Sequence, residues 1–128
     1  MICLLQRNGT TWADGTIEMK TGQDDINNLG KIVKWNSATS TPAYKGECGK
    51  LRGSSDGLFP PGVADVEDTL TLYSTDLCRA LNFTKVGLGN VHGIPVTMFS
   101  LDPNNFSNTT KCPDNECFQN NLPNGVQV

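Results

Sequence analysis

The sequence predicts a β-rich fold of the α+β class, in which short antiparallel strands are joined by many turns. Three observations support this. Apolar and polar residues alternate at residues 16–20 and again at 69–73, which is typical of strands with one buried face. Thirteen glycines and seven prolines are spread over 128 residues without a period, which indicates turns rather than a fibrous repeat. Signals for helices are few and short.

Taken in order, the local patterns predict further elements. Asp24 and Asp25 are suited to cap one helical turn that Gly30 ends, and residues 31–35 form the next short strand. Residues 48–62 are mostly turn. Residues 75–80 form a brief helical turn, or residues 78–81 stay extended. Residues 93–101 carry apolar side chains on both faces, which predicts a strand buried on both sides. Residues 102–125 are loop.

The whole chain, residues 1–128, is expected to be one continuous piece of a single domain. No repeat, low-complexity block or charge run marks a linker. The apolar run at residues 2–5 is shorter than the core of a signal peptide, and no segment approaches the length of a membrane span. An internal fragment of a longer protein is the simplest interpretation.

The net charge and the available catalytic and metal-binding residue types argue against several functions. The net charge is −3 and the basic residues are scattered, so no nucleic-acid partner is expected. His92 is the only histidine, which leaves one candidate base for any catalytic triad, and we expect no enzyme activity and no catalytic residue. The Cys112–Cys117 spacing and the aspartate-rich stretches fit neither a zinc nor a calcium site. We therefore predict no metal and no cofactor.

Cysteines and glycosylation sequons indicate an oxidising compartment. The five cysteines are Cys3, Cys48, Cys78, Cys112 and Cys117, and spacing alone does not show which of them pair. Four Asn-x-Ser/Thr sequons begin at Asn8, Asn82, Asn105 and Asn108. The last two lie so close together that glycans on both would hinder each other.

The order of several short motifs is more specific than any one of them. They are Gly57-Leu58-Phe59-Pro60-Pro61, Asp76-Leu77-Cys78-Arg79, Gly93-Ile94-Pro95 and Asp114-Asn115-Glu116-Cys117-Phe118. In this succession the chain resembles the class B scavenger receptor family over nearly its whole length. That family includes platelet glycoprotein IV, lysosomal integral membrane protein, croquemort and the insect sensory neuron membrane proteins.

The resemblance implies a fold, a location and ligands. Members have a glycosylated ectodomain, an irregular antiparallel β-barrel crossed by a hydrophobic tunnel, held by a membrane anchor at each end. This chain would be a middle portion of that ectodomain and contain neither anchor. The family passes lipids, fatty acids, sterols or lipoprotein cargo through the tunnel. It implies a plasma membrane location with this segment extracellular, or alternatively a lysosomal or endosomal membrane with the segment in the lumen.

The resemblance also implies disulfides. Cys48 matches the first family cysteine and Cys117 its partner, so these two should pair. Cys78 matches a cysteine whose partner would lie beyond Val128, which would leave it unpaired here. Gln119 stands where relatives have another cysteine. Cys3 and Cys112 have no assigned counterpart, and they could pair with each other, or Cys112 could compete with Cys117.

The apolar strand residues are the candidates for the tunnel or core wall. They are Leu70, Leu72, Ile94, Val96 and Met98. Burial in an ordinary core is the commoner role for such residues. Two functions stay open: a non-enzymatic receptor that passes lipid, or a protein-binding, adhesive or lysosomal transport receptor without lipid transfer.

Overall fold

A computed structural model describes residues 15–118 of the chain. The strands are β1 (Ile17–Met19), β2 (Ile32–Trp35), β3 (Ser54–Ser55), β4 (Thr69–Ser74), β5 (Arg79–Val91) and β6 (Ile94–Leu101). One short α-helix, α1, spans Val63–Val66, and 3-10 helices span Ile26–Asn28, Gly46–Gly49, Pro103–Phe106 and Pro113–Phe118. The prediction of a β-rich fold with little helix is confirmed.

The strands form two open sheets. β1 and β2 pair as an antiparallel ribbon, and β3 to β6 form a four-stranded sheet in the order β3-β4-β5-β6. The β4–β5 and β5–β6 pairs are antiparallel, as expected, but the short β3 pairs with β4 in parallel. Within residues 15–118 neither sheet closes on itself, so a barrel would need strands from elsewhere.

The first half of the described chain follows the predicted order. Asp25 caps the 3-10 turn Ile26–Asn28 by accepting a hydrogen bond from the backbone N–H of Asn27 at 3.0 Å. Gly30 ends that turn with φ +77° and lies so close to the carbonyl of Leu58 that a Cβ would clash with it. Glycine is therefore the residue that this junction requires.

Of the two conformations predicted near residue 80, a helical turn or an extended chain, the extended one is observed. A turn leads from β4 into β5, and β5 begins at Arg79, which pairs with Ser74. The predicted helical turn through Ala80 is wrong, because residues 79 and 80 are already strand partners of β4.

β5 and β6 form a long hairpin closed by His92 and Gly93. Both turn residues have positive φ, 51° and 84°, as a two-residue type I′ turn demands. The side-chain oxygen of Asn90 accepts a hydrogen bond from the backbone N–H of Gly93 at 2.7 Å. The hairpin therefore turns at residues 92–93 rather than at Gly87 and Gly89.

The core joins the two sheets at one end of the molecule. Ile32 of β2 packs with Tyr73 and Ala80 of the larger sheet, and the Trp35 ring meets the Tyr73 ring edge-on with centroids 6.0 Å apart. Burial raises the pKa of the Tyr73 phenol to about 12. The other end, the tip of the β5–β6 hairpin, has no such cover within the described residues.

Strand β6 is not buried on both faces, which corrects the sequence prediction. Ile94 is 65% exposed and Met98 45% exposed. The hairpin extends past the rest of the sheet, because β4 pairs with β5 only as far as Thr84.

The segment after β6 is more regular than the predicted loop. Asp102 caps the 3-10 helix Pro103–Phe106 by accepting from Asn104 N–H at 2.9 Å, and a second 3-10 helix follows at Pro113–Phe118. Among residues 15–118 no helix has the length and apolarity that crossing a membrane needs.

Candidate functional site

The five predicted tunnel or core residues lie on two opposite faces of the sheet. Residues directly opposite in antiparallel strands share a face, and alternate residues along a strand do too. Leu70 faces Phe83, and Leu72 faces Leu81. The strand register assigns these to one apolar set, here called the leucine face, whose members are Leu70, Leu72, Leu81, Phe83, Phe99 and Leu101.

The other three predicted residues lie on the opposite side, in a set here called the hairpin face. Its members are Val91, Ile94, Val96 and Met98. Val91 is directly opposite Ile94 and is 53% exposed. All four belong to the part of the hairpin that β4 does not reach, so their exposure follows from the topology.

Two glycines shape the hairpin face. Gly87 and Gly89 stand opposite Met98 and Val96, so the neighbouring strand offers no side chains there. A Cβ at Gly89 would lie 3.0 Å from the Met98 sulfur, whereas one at Gly87 would meet nothing within 4 Å. Met98 thus lies against Gly89, whereas the space beside Gly87 is open.

The leucine face is covered where β4 pairs with β5, whereas Leu101 is 39% exposed and Leu88, opposite Thr97 on the same side of the hairpin, is 79% exposed. Leu81 is buried, and Leu70 and Leu72 are half-buried. The Lys85 ammonium donates a hydrogen bond to the carbonyl of Ala64 at 3.0 Å, which ties β5 to helix α1. Sequence reasoning missed Leu81, Phe83, Phe99 and Leu101 as one face, although their period-2 spacing along β5 and β6 was available.

Cys48 and Cys117 form a disulfide with Cα atoms 5.8 Å apart, the pair that the resemblance implied. Cys112 is a free, half-buried thiol, so it neither pairs with Cys3 nor displaces Cys117. Cys78 is disulfide-bonded, which corrects the expectation that it would be unpaired in this chain. Cys78 is almost fully buried at the entry to β5, a position that favours a bridge over a reactive thiol. Cys3 and Gln119 lie outside the described residues.

The Cys48–Cys117 disulfide lies beside a cluster of two aromatic rings and one arginine. Phe118, next to Cys117, meets the ring of Tyr44 edge-on with centroids 5.0 Å apart, and the Arg79 guanidinium carbon lies 3.5 Å from the Phe118 ring centroid. Arg79 is only 8% exposed and donates from Nη2 to the carbonyl of Asn105 at 2.7 Å. Burial lowers the pKa of Arg79, and the stacked ring offsets part of that desolvation.

The glycosylation sequons occupy different surroundings. Asn8 lies outside the described residues. Asn82 is exposed on β5, and its side-chain oxygen accepts a hydrogen bond from the Thr71 hydroxyl at 2.9 Å. Asn108 is exposed in a turn, whereas Asn105 is only 7% exposed.

His92 is exposed at the tip of the hairpin, where its backbone forms the turn. The described part of the chain holds no group of three or more His, Cys, Asp or Glu residues that could bind a metal ion.

Comparison with known proteins agrees with the sequence motifs. The model of the CD36 family matches residues 2–127. The chain belongs to the CD36 family. Protein peste of Drosophila melanogaster is 39% identical over 112 residues, which is 88% of this chain and 20% of that protein. Lysosome membrane protein 2 of Mus musculus is 30% identical over 125 residues, 93% of this chain and 26% of the relative.

A third relative matches this chain to a similar extent. Sensory neuron membrane protein 1 of Aedes aegypti is 30% identical over 118 residues, 91% of this chain and 21% of the relative. The chain therefore spans about a fifth to a quarter of the length of these curated relatives. Their relationship confirms the resemblance to class B scavenger receptors, and CD36 family members are membrane receptors rather than enzymes.

Proposed function

We propose that this chain is part of a class B scavenger receptor ectodomain and that its hairpin face lines a path for lipid. The ligands would be apolar or amphiphilic: fatty acids, sterols or the lipids of lipoproteins. The role is non-enzymatic transfer toward a membrane. Its location is the plasma membrane, or alternatively a lysosomal or endosomal membrane.

The exposure of Ile94, Met98 and Val91 is the observation that supports this function. Large apolar side chains grouped on one strand face contribute free energy only when something removes them from water. Gly87 has no side chain and the space beside it is open, so an alkyl chain can lie against the backbone of β5 at that position.

We divide the five candidate wall residues by role, according to the face of the sheet on which each lies. Leu70 and Leu72 lie on the covered leucine face, so we assign them to the core. Ile94, Val96 and Met98 lie on the exposed hairpin face, so we assign them to the lipid path. This assignment also explains why β6 carries apolar residues on both faces. One face packs in the protein, and the other faces the lipid.

A photoreactive fatty acid tests the proposal. We expect saturable crosslinking of the full chain, with labelled peptides that include residues 91–98. Val96→Asp should abolish that labelling, because a carboxylate on the hairpin face is costly beside an alkyl chain. Thr97→Asp is the matched control, since Thr97 is equally half-buried but points to the opposite face.

Equal labelling of both variants, or no saturable labelling of a folded chain, would contradict the lipid path. The second outcome would favour the alternative, an adhesive or transport receptor that binds proteins without transferring lipid. Circular dichroism of each variant shows whether the sheet is retained.

A further inference from the structure

Asn105 and Asn108 are the asparagines of two sequons that begin only three residues apart. Their side-chain amides differ in burial and in hydrogen bonding. Asn105 is 7% exposed, and both hydrogens of its Nδ2 are used, on the carbonyls of Asn82 at 2.8 Å and Asp102 at 2.7 Å. Its Oδ1 accepts from Asn82 N–H at 2.9 Å.

N-glycosylation replaces one hydrogen of Nδ2 with a bulky sugar. At Asn105 that exchange would remove one of two buried hydrogen bonds and would place the sugar where the chain is packed. The carbonyl that loses the bond keeps one backbone donor, Asp102 N–H for Asn82 or Asn105 N–H for Asp102, so the cost comes from the lost buried hydrogen bond and from the space that the sugar needs. A glycan at Asn105 is therefore incompatible with this packing.

Asn108 meets the opposite conditions. It is exposed, and its Oδ1 accepts from the backbone N–H of Lys111 at 3.2 Å. Its Nδ2 has no hydrogen-bond partner among residues 15–118. A glycan on Nδ2 leaves Oδ1 in place, so the turn at Asn108 keeps its side-chain hydrogen bond. Thr110, the hydroxyl residue of the sequon, is exposed as well.

We infer that Asn108 carries the N-linked glycan of this pair and that Asn105 is an unmodified structural residue. Selection between the two operates through folding: a chain modified at Asn105 loses one of the two buried Nδ2 hydrogen bonds and must fit a sugar where the side chain is packed. This goes beyond the expectation that glycans on both would hinder each other, because it says which of the two asparagines is modified, and it does not depend on the lipid path.

Site occupancy in the chain expressed through a eukaryotic secretory pathway tests the inference. Peptide mass spectrometry after enzymatic deglycosylation should find the modification at Asn108 and none at Asn105. Thr110→Ala should eliminate it, whereas Ser107→Ala, the matched change in the other sequon, should leave it unchanged.

A second variant removes the objection that Asn108 is preferred only because its sequon contains threonine rather than serine. Ser107→Thr combined with Thr110→Ala offers Asn105 as the better acceptor of the pair. We expect the secreted fraction of this variant to remain unmodified at Asn105, with any modified chain retained in the cell. Secreted chain with a glycan on Asn105 and a native thermal transition would overturn the inference, as would wild-type chain lacking a glycan at Asn108.

Discussion

The side-chain amide of Asn105 pairs with both backbone groups of Asn82, accepting from its N–H at 2.9 Å and donating to its carbonyl at 2.8 Å. Strand β6 ends at Leu101, opposite Phe83, one residue before Asn82 would need a partner. The Asn82 carbonyl also accepts from the backbone N–H of Asp102 at 2.9 Å, so the N–H of Asn82 is the backbone group that depends on the Asn105 amide. A buried backbone group without such a partner would be destabilising.

Asn105→Asp tests that role, because it keeps the shape of the side chain and replaces both Nδ2 donors with a negatively charged carboxylate oxygen. The carbonyls of Asn82 and Asp102 would then face a carboxylate. We expect the free energy of unfolding to fall by about 2 kcal/mol, measured by urea denaturation of unglycosylated chain. Asn108→Asp, at the exposed sequon, should change it by less than about 0.5 kcal/mol. Equal losses of unfolding free energy in the two variants would show that the Asn105 hydrogen bonds stabilise the fold no more than the exposed Asn108 side chain does.

Tyr73 should make stability depend on alkaline pH. Its phenol has a pKa of about 12 in the fold, against about 10 in an unfolded chain. Between these values the unfolded chain releases a proton that the folded chain retains, so the free energy of unfolding falls as pH rises. The slope is at most about 1.4 kcal/mol per pH unit. Denaturation of Tyr73→Phe should lack this component, and parallel curves for both proteins above pH 10 would contradict the prediction.

The Cys48–Cys117 bridge should contribute strongly to stability, since it joins residues 69 apart in sequence. A loop of this length corresponds to about 4 kcal/mol in the chain-entropy account. Replacing both cysteines with serine should lower the free energy of unfolding by that order, measured by denaturation under non-reducing conditions. Cys112→Ser, which alters the free thiol, is the matched control and should have little effect. A similar loss in the control would show that burial rather than the bridge matters.

His92→Asn should stabilise the hairpin by a few tenths of a kcal/mol, because asparagine adopts positive φ more readily than histidine in a type I′ turn. His92→Val should destabilise it, because a β-branched residue is strained there. Thermal denaturation of the two variants compares them directly. An Asn variant less stable than the wild type would mean that the imidazole makes a contact beyond the turn.

Sequence reasoning found strands where alternation was clear. β1, β2 and β4 lie close to the predicted positions, and Gly30 ends its turn as expected. It described β5 poorly because Gly87 and Gly89 interrupt the apolar pattern of its second half. The turn that closes the hairpin lies at His92–Gly93.

The candidate site was predicted in part. Ile94, Val96 and Met98 were correctly grouped on one strand, but their exposure depends on how far β4 extends along β5, which no local pattern encodes. The burial of Asn105 was equally inaccessible, since its three hydrogen bonds reach Asn82 and Asp102 through tertiary structure. The resemblance to relatives supplied the Cys48–Cys117 pair, which spacing alone did not.

The Cys48–Cys117 bridge encloses strands β3 to β6 and helix α1 in one covalent ring. A single cut by a protease anywhere inside the ring, including the exposed tip at His92, would leave both pieces attached to each other. Nicked molecules would stay one covalent unit, heavier than the intact chain by one water, until a reductant opened the bridge. A receptor segment that works among hydrolases would gain tolerance to clipping from this arrangement.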